Sequence, residues 1–281
     1  MSGFLDDMAS RSAVRVEQAR RVESSAALER RARAAAPSLP LRLSVAGLDI
    51  IAELKLRSPA MGLLGDQSQD WLGRVVAYAR GGAAAVSVLT EPSRFDGSLE
   101  HLRAAAAALA PLGVPAMRKD FIVDPYQILE ARAAGAGGVL IIVRMLARRR
   151  IVDLLDAAAG HGMFALLETF DEADLELARD LVAARASRGG HARGEAPILV
   201  GVNSRDLQSL QVVNGRFAAL APLLPAGAPA VAESGVESAA DARRVFELGY
   251  RLALIGTALM VRPDPAVLLR EIYDATRTVQ P

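Results

Sequence analysis

Of the 33 basic residues in this chain only two are lysines, Lys55 and Lys119. An arginine stays protonated inside a protein, whereas a lysine ammonium gives up and regains its proton when burial or neighbouring charge shifts it. Two lysines left in an arginine background are therefore candidates for proton transfer. Lys55 stands in IIAELKL, two residues after Glu53, and Lys119 stands in VPAMRKD. Other apolar runs end in Glu168 (FALLET), in Asn203 followed by Arg205 (ILVGVNSR) and in Glu233 (PAVAES). Two lysines and two glutamates, Glu53 and Glu168, converging on one crevice would tune one another's proton affinity and carry general acid–base chemistry. A purely structural ion-pair network is the alternative reading of the same residues.

A second group of residues is suited to an anion. Ser234-Gly235 follows one apolar run (AESGV) and Gly256-Thr257 follows the next (LIGTAL). Small residues with free backbone N–H groups, side by side, are the makings of a phosphate site. Ser58, after the first run, adds a hydroxyl. The chain contains no cysteine, which excludes disulfides, a thiolate nucleophile and cysteine metal sites. His101 falls within a helical pattern, His161 at a helix end and His191 in a basic Gly-rich stretch, so neither a histidine base nor a metal is indicated. Trp71 and the few other aromatics read as packing.

These groups need a scaffold that brings strand ends together. Eight short apolar runs start 23–34 residues apart, at 50–56, 83–90, 114–120, 138–143, 164–169, 198–204, 229–234 and 252–257. Helical patterns alternate with them, with start signals at Ser98, Pro125 and Ser238 and stops at Gly135 and Gly249. Strict βα alternation with short connections predicts a parallel sheet, and eight repeats predict a closed (β/α)₈ barrel of the α/β class. The turn RSPAMGLLG lacks the GxGxxG of a dinucleotide-binding sheet. In such a barrel the active site lies at the C-terminal strand ends, where all the residues singled out above fall. Glu53 and Lys55, spaced i, i+2, share the lumen-facing side of the first strand.

Residues 1–48 read as a helical extension packed on a barrel of 49–281, and 185–197 (RASRGGHARGEAP) as a disordered insertion. Thirty-three basic against 32 acidic residues leave a net charge of +1, too balanced for a nucleic-acid binder. No stretch approaches the ~18 apolar residues of a membrane span. The start, MSGFLDDMASRSAV, has no apolar targeting core and carries acids. A cytoplasmic location is expected, with a monomer favoured over a homodimer.

Several blocks carry a resemblance. AELKLRSPAMG, SVLTEPSRFDGSLEHL, MRKDFIVDPYQILEARAAGA, LLETFDEADLELA, GVNSRDL, VAESGV and LIGTALM closely resemble the indole-3-glycerol-phosphate synthases, in family order along nearly the whole chain. The resemblance implies a phosphate-binding (β/α)₈ barrel that closes the indole ring on 1-(2-carboxyphenylamino)-1-deoxyribulose 5-phosphate, without metal or organic cofactor. It implies Lys119 as the general acid at the ketone and Glu168 as the general base. Lys55 and Glu53 match the pair that orients the substrate carboxylate and takes part in proton transfer. Asn203 and Arg205 match substrate-positioning residues, while Ser58, Ser234, Gly235, Gly256 and Thr257 fall where the family holds phosphate.

The chain departs from the pattern at Ala60, at Leu56-Arg57 and at Leu167-Glu168-Thr169-Phe170. A phosphoribosylanthranilate isomerase would share fold and phosphate site, but that resemblance calls for a cysteine base. A paralogue acting on a modified anthranilate is compatible with Ala60 and Phe170. A non-catalytic phosphate-binding barrel is the third reading, against which stands the presence of Lys55, Lys119 and Glu168 together.

Overall fold

Eight strands form the centre of the molecule: β1 (Asp49–Leu54), β2 (Ala85–Leu89), β3 (Ala116–Lys119), β4 (Gly138–Ile142), β5 (Phe164–Thr169), β6 (Ile198–Asn203), β7 (Ala230–Glu233) and β8 (Leu252–Ile255). The computed structural model describes residues 3–58, 62–63, 70–187, 197–206, 209 and 211–277. Each strand pairs in parallel with the next in sequence, and β8 pairs with β1 to close the barrel. The expected (β/α)₈ barrel is therefore the observed one, with every strand within two residues of the apolar run that announced it.

The strands hold because both of their faces are buried. Ile50, Ala52 and Leu54 of β1 face the surrounding helices, while Ile51 joins the lumen with Ala85, Met117, Leu140, Phe164, Leu166, Leu199, Val231 and Leu252. The alternation is the two-residue period of an extended chain. One lumen contact is steric to an unusual degree. Gly138 lies opposite Phe164 in the β4–β5 register, and a Cβ on Gly138 would sit 2.3 Å from the Phe164 ring. The absent side chain is the space that the ring fills.

The helices return the chain to the barrel's N-terminal end, and their ends carry the expected caps. Ser98 accepts from the His101 N–H at 3.1 Å, and Ser238 accepts from the Asp241 N–H. Asp124 caps a helix with Pro125 in its first turn and Gln127 closing the capping box. Gly135 and Gly249 follow their helices at φ +88° and +97°, backbone that an L side chain rarely adopts.

Before β1 come α1 (Phe4–Val22) and α2 (Ser25–Ala34). Helix α1 is fastened to the segment after β3. The Ser12 hydroxyl donates to the Phe121 carbonyl, Arg15 pairs with Asp120 at 2.7 Å and Arg20 with Asp124 at 2.6 Å. The Tyr126 hydroxyl donates to the Glu23 carbonyl at 2.9 Å. One expectation is corrected: helix Glu172–Ser187 runs through 185–187, because the apolar stripe of Leu175, Ala178, Leu181 and Val182 keeps it on the barrel. The rest of the expected insertion, 188–196, lies outside the described residues. Among the described residues no helix is long and apolar enough to cross a membrane.

Gly138→Ala is expected to cost ~1–3 kcal/mol, the usual penalty for overpacking a filled core. Gly160→Ala, with no atom within 4 Å of the new Cβ, is the control expected to leave stability unchanged or slightly raised. Urea unfolding of the two variants measures both.

Candidate active site

The strand ends meet at a pocket in the C-terminal mouth of the barrel. Lys119, the last residue of β3, points into it, with Nζ 3.9 Å from Glu168 Oε1 and 4.0 Å from Glu233 Oε2. Both separations exceed hydrogen-bond length but lie well inside the range of strong charge–charge attraction. Lys55 behaves differently, its Nζ pairing directly with Glu53 Oε1 at 2.7 Å. Asn203 Nδ2 donates to Glu168 Oε1 at 2.5 Å, and Asn203 Oδ1 accepts from the Arg205 N–H at 2.9 Å. Arg205 lines the same pocket. Strand parity explains the convergence, since Glu53, Lys119, Glu168, Asn203 and Glu233 all fall on the inward side of their strands.

Two glycines make room for the carboxylates. A Cβ on Gly256 would lie 2.6 Å from Glu53 Oε1, and one on Gly201 would lie 2.0 Å from Glu233 Oε1. Gly256, expected as a phosphate contact, thus also gives Glu53 its place. Glu53, Glu168 and Glu233 are all buried.

Their charges are unequal. Burial by itself would push the Glu53 carboxyl up, but the Lys55 and Lys119 ammoniums and the Arg205 guanidinium outweigh it and hold the group below its usual range. Glu233 goes the other way. Burial, with the negative charge of Glu168 and Glu53 beside it, raises its carboxyl well above the usual range, and Lys119 only partly offsets this. Among the described residues neither Glu233 oxygen has a hydrogen-bond partner. Burial would strip the proton from Lys119, yet Glu168, Glu233 and Glu53 together raise its proton affinity above that of an ordinary lysine. The site therefore sets one carboxyl of lowered and one of raised proton affinity beside an ammonium of raised proton affinity within one pocket. Glu233 stood at a strand end in the sequence without being singled out as a site residue. Its inward parity was the available signal.

The pocket has an aromatic wall, made of residues that also pack on the lumen core, as expected of the aromatics. Phe4 of α1, Phe95 and Phe121 line it, with Phe121 edge-on to Phe4 at 5.8 Å and tilted against Phe95 at 6.2 Å. Trp71 does pack, against His101 at 5.2 Å, and His161 lies beside Glu29, so neither histidine reaches the pocket. His191 lies outside the described residues. Among the described residues no group of His, Cys, Asp and Glu side chains is arranged to hold a metal ion.

Ser234, Gly235, Gly256 and Thr257 also line the pocket. Ser234 and Gly235 both have positive φ, +64° and +74°. Ser58 belongs by its backbone to a short hairpin, Arg57–Ser58 with Gly62–Leu63. Its side chain, like Ala60, lies outside the described part of the structure.

Lys119 is held from behind by its neighbours. Asp120 accepts from Arg118 at 2.9 Å, from Arg15 of α1 at 2.7 Å, from Thr90 at 2.7 Å and from its neighbour's N–H, that of Phe121, at 2.9 Å. Burial alone would raise this carboxyl, but the two guanidiniums dominate and bring it down to about 2.

Barrel and pocket together define a (β/α)₈ enzyme with an acid–base crevice lined also by aromatic and small residues. Residues 5–272 match the family model described as indole-3-glycerol phosphate synthase. The chain belongs to the indole-3-glycerol phosphate synthase family. It is 40% identical over 272 residues to the indole-3-glycerol phosphate synthase of a Nocardioides species, covering 95% of this chain and 97% of that one. That of Methanopyrus kandleri is 40% identical over 251 residues, covering 88% and 91%. Among solved structures, 3-hexulose-6-phosphate synthase from Salmonella typhimurium superposes with a TM-score of 0.57 at 15% identity, covering 81% of this chain and 98% of that one, a likeness of fold.

The depressed Asp120 carboxyl predicts a pH signature. A group whose folded value lies below its unfolded value of about 3.9 contributes stability that is complete above that value and is lost as pH falls toward about 2. Asp120→Asn is expected to be less stable than the unsubstituted protein at pH 7, with the gap narrowing between about pH 4 and pH 2. Urea unfolding across that range checks it, and a gap independent of pH would contradict the assignment.

Proposed function

We propose that this chain closes the indole ring of 1-(2-carboxyphenylamino)-1-deoxyribulose 5-phosphate, releasing carbon dioxide and water to leave indole-3-glycerol phosphate. The observation that carries the reading is the Lys119 ammonium. Its carboxylate neighbours are close enough to keep it charged and too distant to occupy its protons, at 3.9 and 4.0 Å. Its N–H donors are free for a substrate oxygen.

In the first step the ring carbon bearing the carboxylate attacks the ketone, and negative charge develops on the ketone oxygen. Lys119 donates a proton there, so the C–C bond forms as the C=O π bond breaks to a hydroxyl. Loss of carbon dioxide returns its bonding pair to the ring and restores aromaticity. Dehydration then removes a proton from the adjacent carbon and the new hydroxyl as water. Glu168, held by Asn203, is the base for that proton, and an ammonium supplies the proton for the leaving hydroxyl. Lys55, fixed by Glu53, faces the substrate carboxylate, and Arg205 with Asn203 positions the sugar chain. Phe4, Phe95 and Phe121 offer the aryl ring an apolar wall.

Ser234, Gly235, Gly256, Thr257 and Ser58 hold the phosphate. Anchoring it folds the flexible chain toward ring closure and lowers the entropic part of the barrier. Every proton and electron pair is accounted for by these side chains and the substrate, so the sequence of steps calls for no cofactor. In this reading residues 1–48 form an extension serving the barrel of 49–281, and the enzyme works in the cytoplasm as a monomer, with a small phosphorylated molecule as its partner and no nucleic acid.

Lys119→Ala is expected to lower the rate of indole formation by ~10²–10⁴-fold while leaving the fold intact. Indole fluorescence with the carboxyphenylamino substrate measures the rate. Turnover within a few-fold of the unsubstituted enzyme would remove Lys119 from the acid role. A folded unsubstituted protein without turnover would overturn the reading itself.

A further inference from the structure

The turn after β7 is strained, and one buried hydroxyl holds it. Among the described residues only Asp96 and Ser234 are non-glycine residues with positive φ, at 53° and 64°. An L side chain there costs roughly 1–2 kcal/mol, so the surrounding structure must impose it. Ser204, the residue after Asn203, is 1% exposed and lies beside the turn. Its hydroxyl donates to the Ser234 carbonyl at 2.9 Å, and its N–H donates to the Glu233 carbonyl at 2.9 Å. Its own carbonyl accepts from the Val213 N–H at 2.7 Å. One residue thus grips two consecutive peptide groups of the turn and is itself gripped by the loop after β6.

We propose that Ser204 is a positioning residue for phosphate binding, acting through the Ser234–Gly235 peptide. The proposal rests on the reading that this turn holds the substrate's phosphate. In a trans peptide the C=O of one residue and the N–H of the next point in opposite directions from one plane. Turning the Ser234 carbonyl back toward Ser204 therefore aims the Gly235 N–H away from it, to the pocket side. Gly235 is closely fitted, since a Cβ would lie 3.1 Å from both Ser204 Oγ and Val212 Cγ1 and its φ of +74° is one an L side chain rarely adopts. Ser204 also ties the turn to its neighbours in the acid–base cluster, Asn203 through the chain and Glu233 through the backbone bond. Backbone and side chain of one residue, which touches neither substrate end, thereby link the phosphate grip to the proton-transferring groups.

Steady-state kinetics with inorganic phosphate as a competing inhibitor test this. Ser204→Ala is expected to raise KM for the substrate and the phosphate inhibition constant by the same factor, about fivefold for one lost hydrogen bond, with kcat within about twofold. Ser204→Cys keeps the volume with a weak donor and is expected to raise both constants together, which serves if the alanine variant fails to fold. Thr169→Val is the structural control. It removes a comparable buried hydroxyl–carbonyl bond, from Thr169 Oγ1 to the Gly201 carbonyl at 2.7 Å, and is expected to lower Tm without moving the phosphate constant.

A cycle isolates the mechanism, because glycine adopts positive φ freely. In the Ser234→Gly background the effect of Ser204→Ala is expected to fall to less than half. An unsubstituted enzyme inhibited by phosphate, with Ser204 variants inhibited equally, overturns the proposal alone. An unsubstituted enzyme that phosphate does not inhibit overturns the phosphate reading and the proposal with it. An undiminished effect in the glycine background overturns the strain-holding mechanism.

Discussion

An ammonium buried in a barrel lumen loses the water that would solvate it, and it stays charged only if the protein replaces that water with negative charge. Around Lys119 the replacement comes from three strands, through Glu53, Glu168 and Glu233. The surroundings of the pocket follow from that requirement. Three carboxylates gathered in low dielectric repel one another, and the effect falls unequally: the Glu233 carboxyl is pushed up, while the ammoniums of Lys55 and Lys119 hold Glu53 below its usual range. The same balance keeps Lys119 short of a tight ion pair and its protons available.

Such a balance needs fixed distances, and the fold supplies them at the level of single atoms. Gly201 and Gly256 give the carboxylates space that any side chain would take. Asp120, tied to Arg118, Arg15 and Thr90, stiffens the chain directly after Lys119. Helix α1 contributes twice, sending Arg15 to that clamp and Phe4 to the pocket wall. A helical extension that looks peripheral along the chain is therefore joined to the site by both charge and apolar surface.

Much of this is legible in the sequence for simple physical reasons. Strands buried on both faces must be apolar throughout, so the eight runs stand out, and the two-residue period places Glu53 on the lumen side of β1, with Lys55 just past its end. The scarcity of lysine, together with the place of both at strand ends, marks Lys55 and Lys119. Properties that arise only when distant segments meet are not legible. The raised Glu233 carboxyl depends on burial and on Glu168 and Glu53 from other strands, and the place of Phe4 depends on how α1 lies across the barrel. The positive φ of Ser234 cannot be read either, since serine carries no local preference for it. The helix through 185–187 is hidden by the glycines and charges just beyond it.

The charge state of Lys119 is open to direct observation, because a protein with only two lysines gives only two side-chain signals. Selective ¹⁵N,¹³C-lysine labelling followed by NMR titration, with Lys55→Arg to assign the pair, reads each ammonium separately. The Lys119 signal is expected to keep the shift of the protonated form beyond the ordinary lysine value of about 10.4. A Lys119 signal that titrates at or below that value would show that the three carboxylates do not hold the ammonium, and would contradict the account of the site.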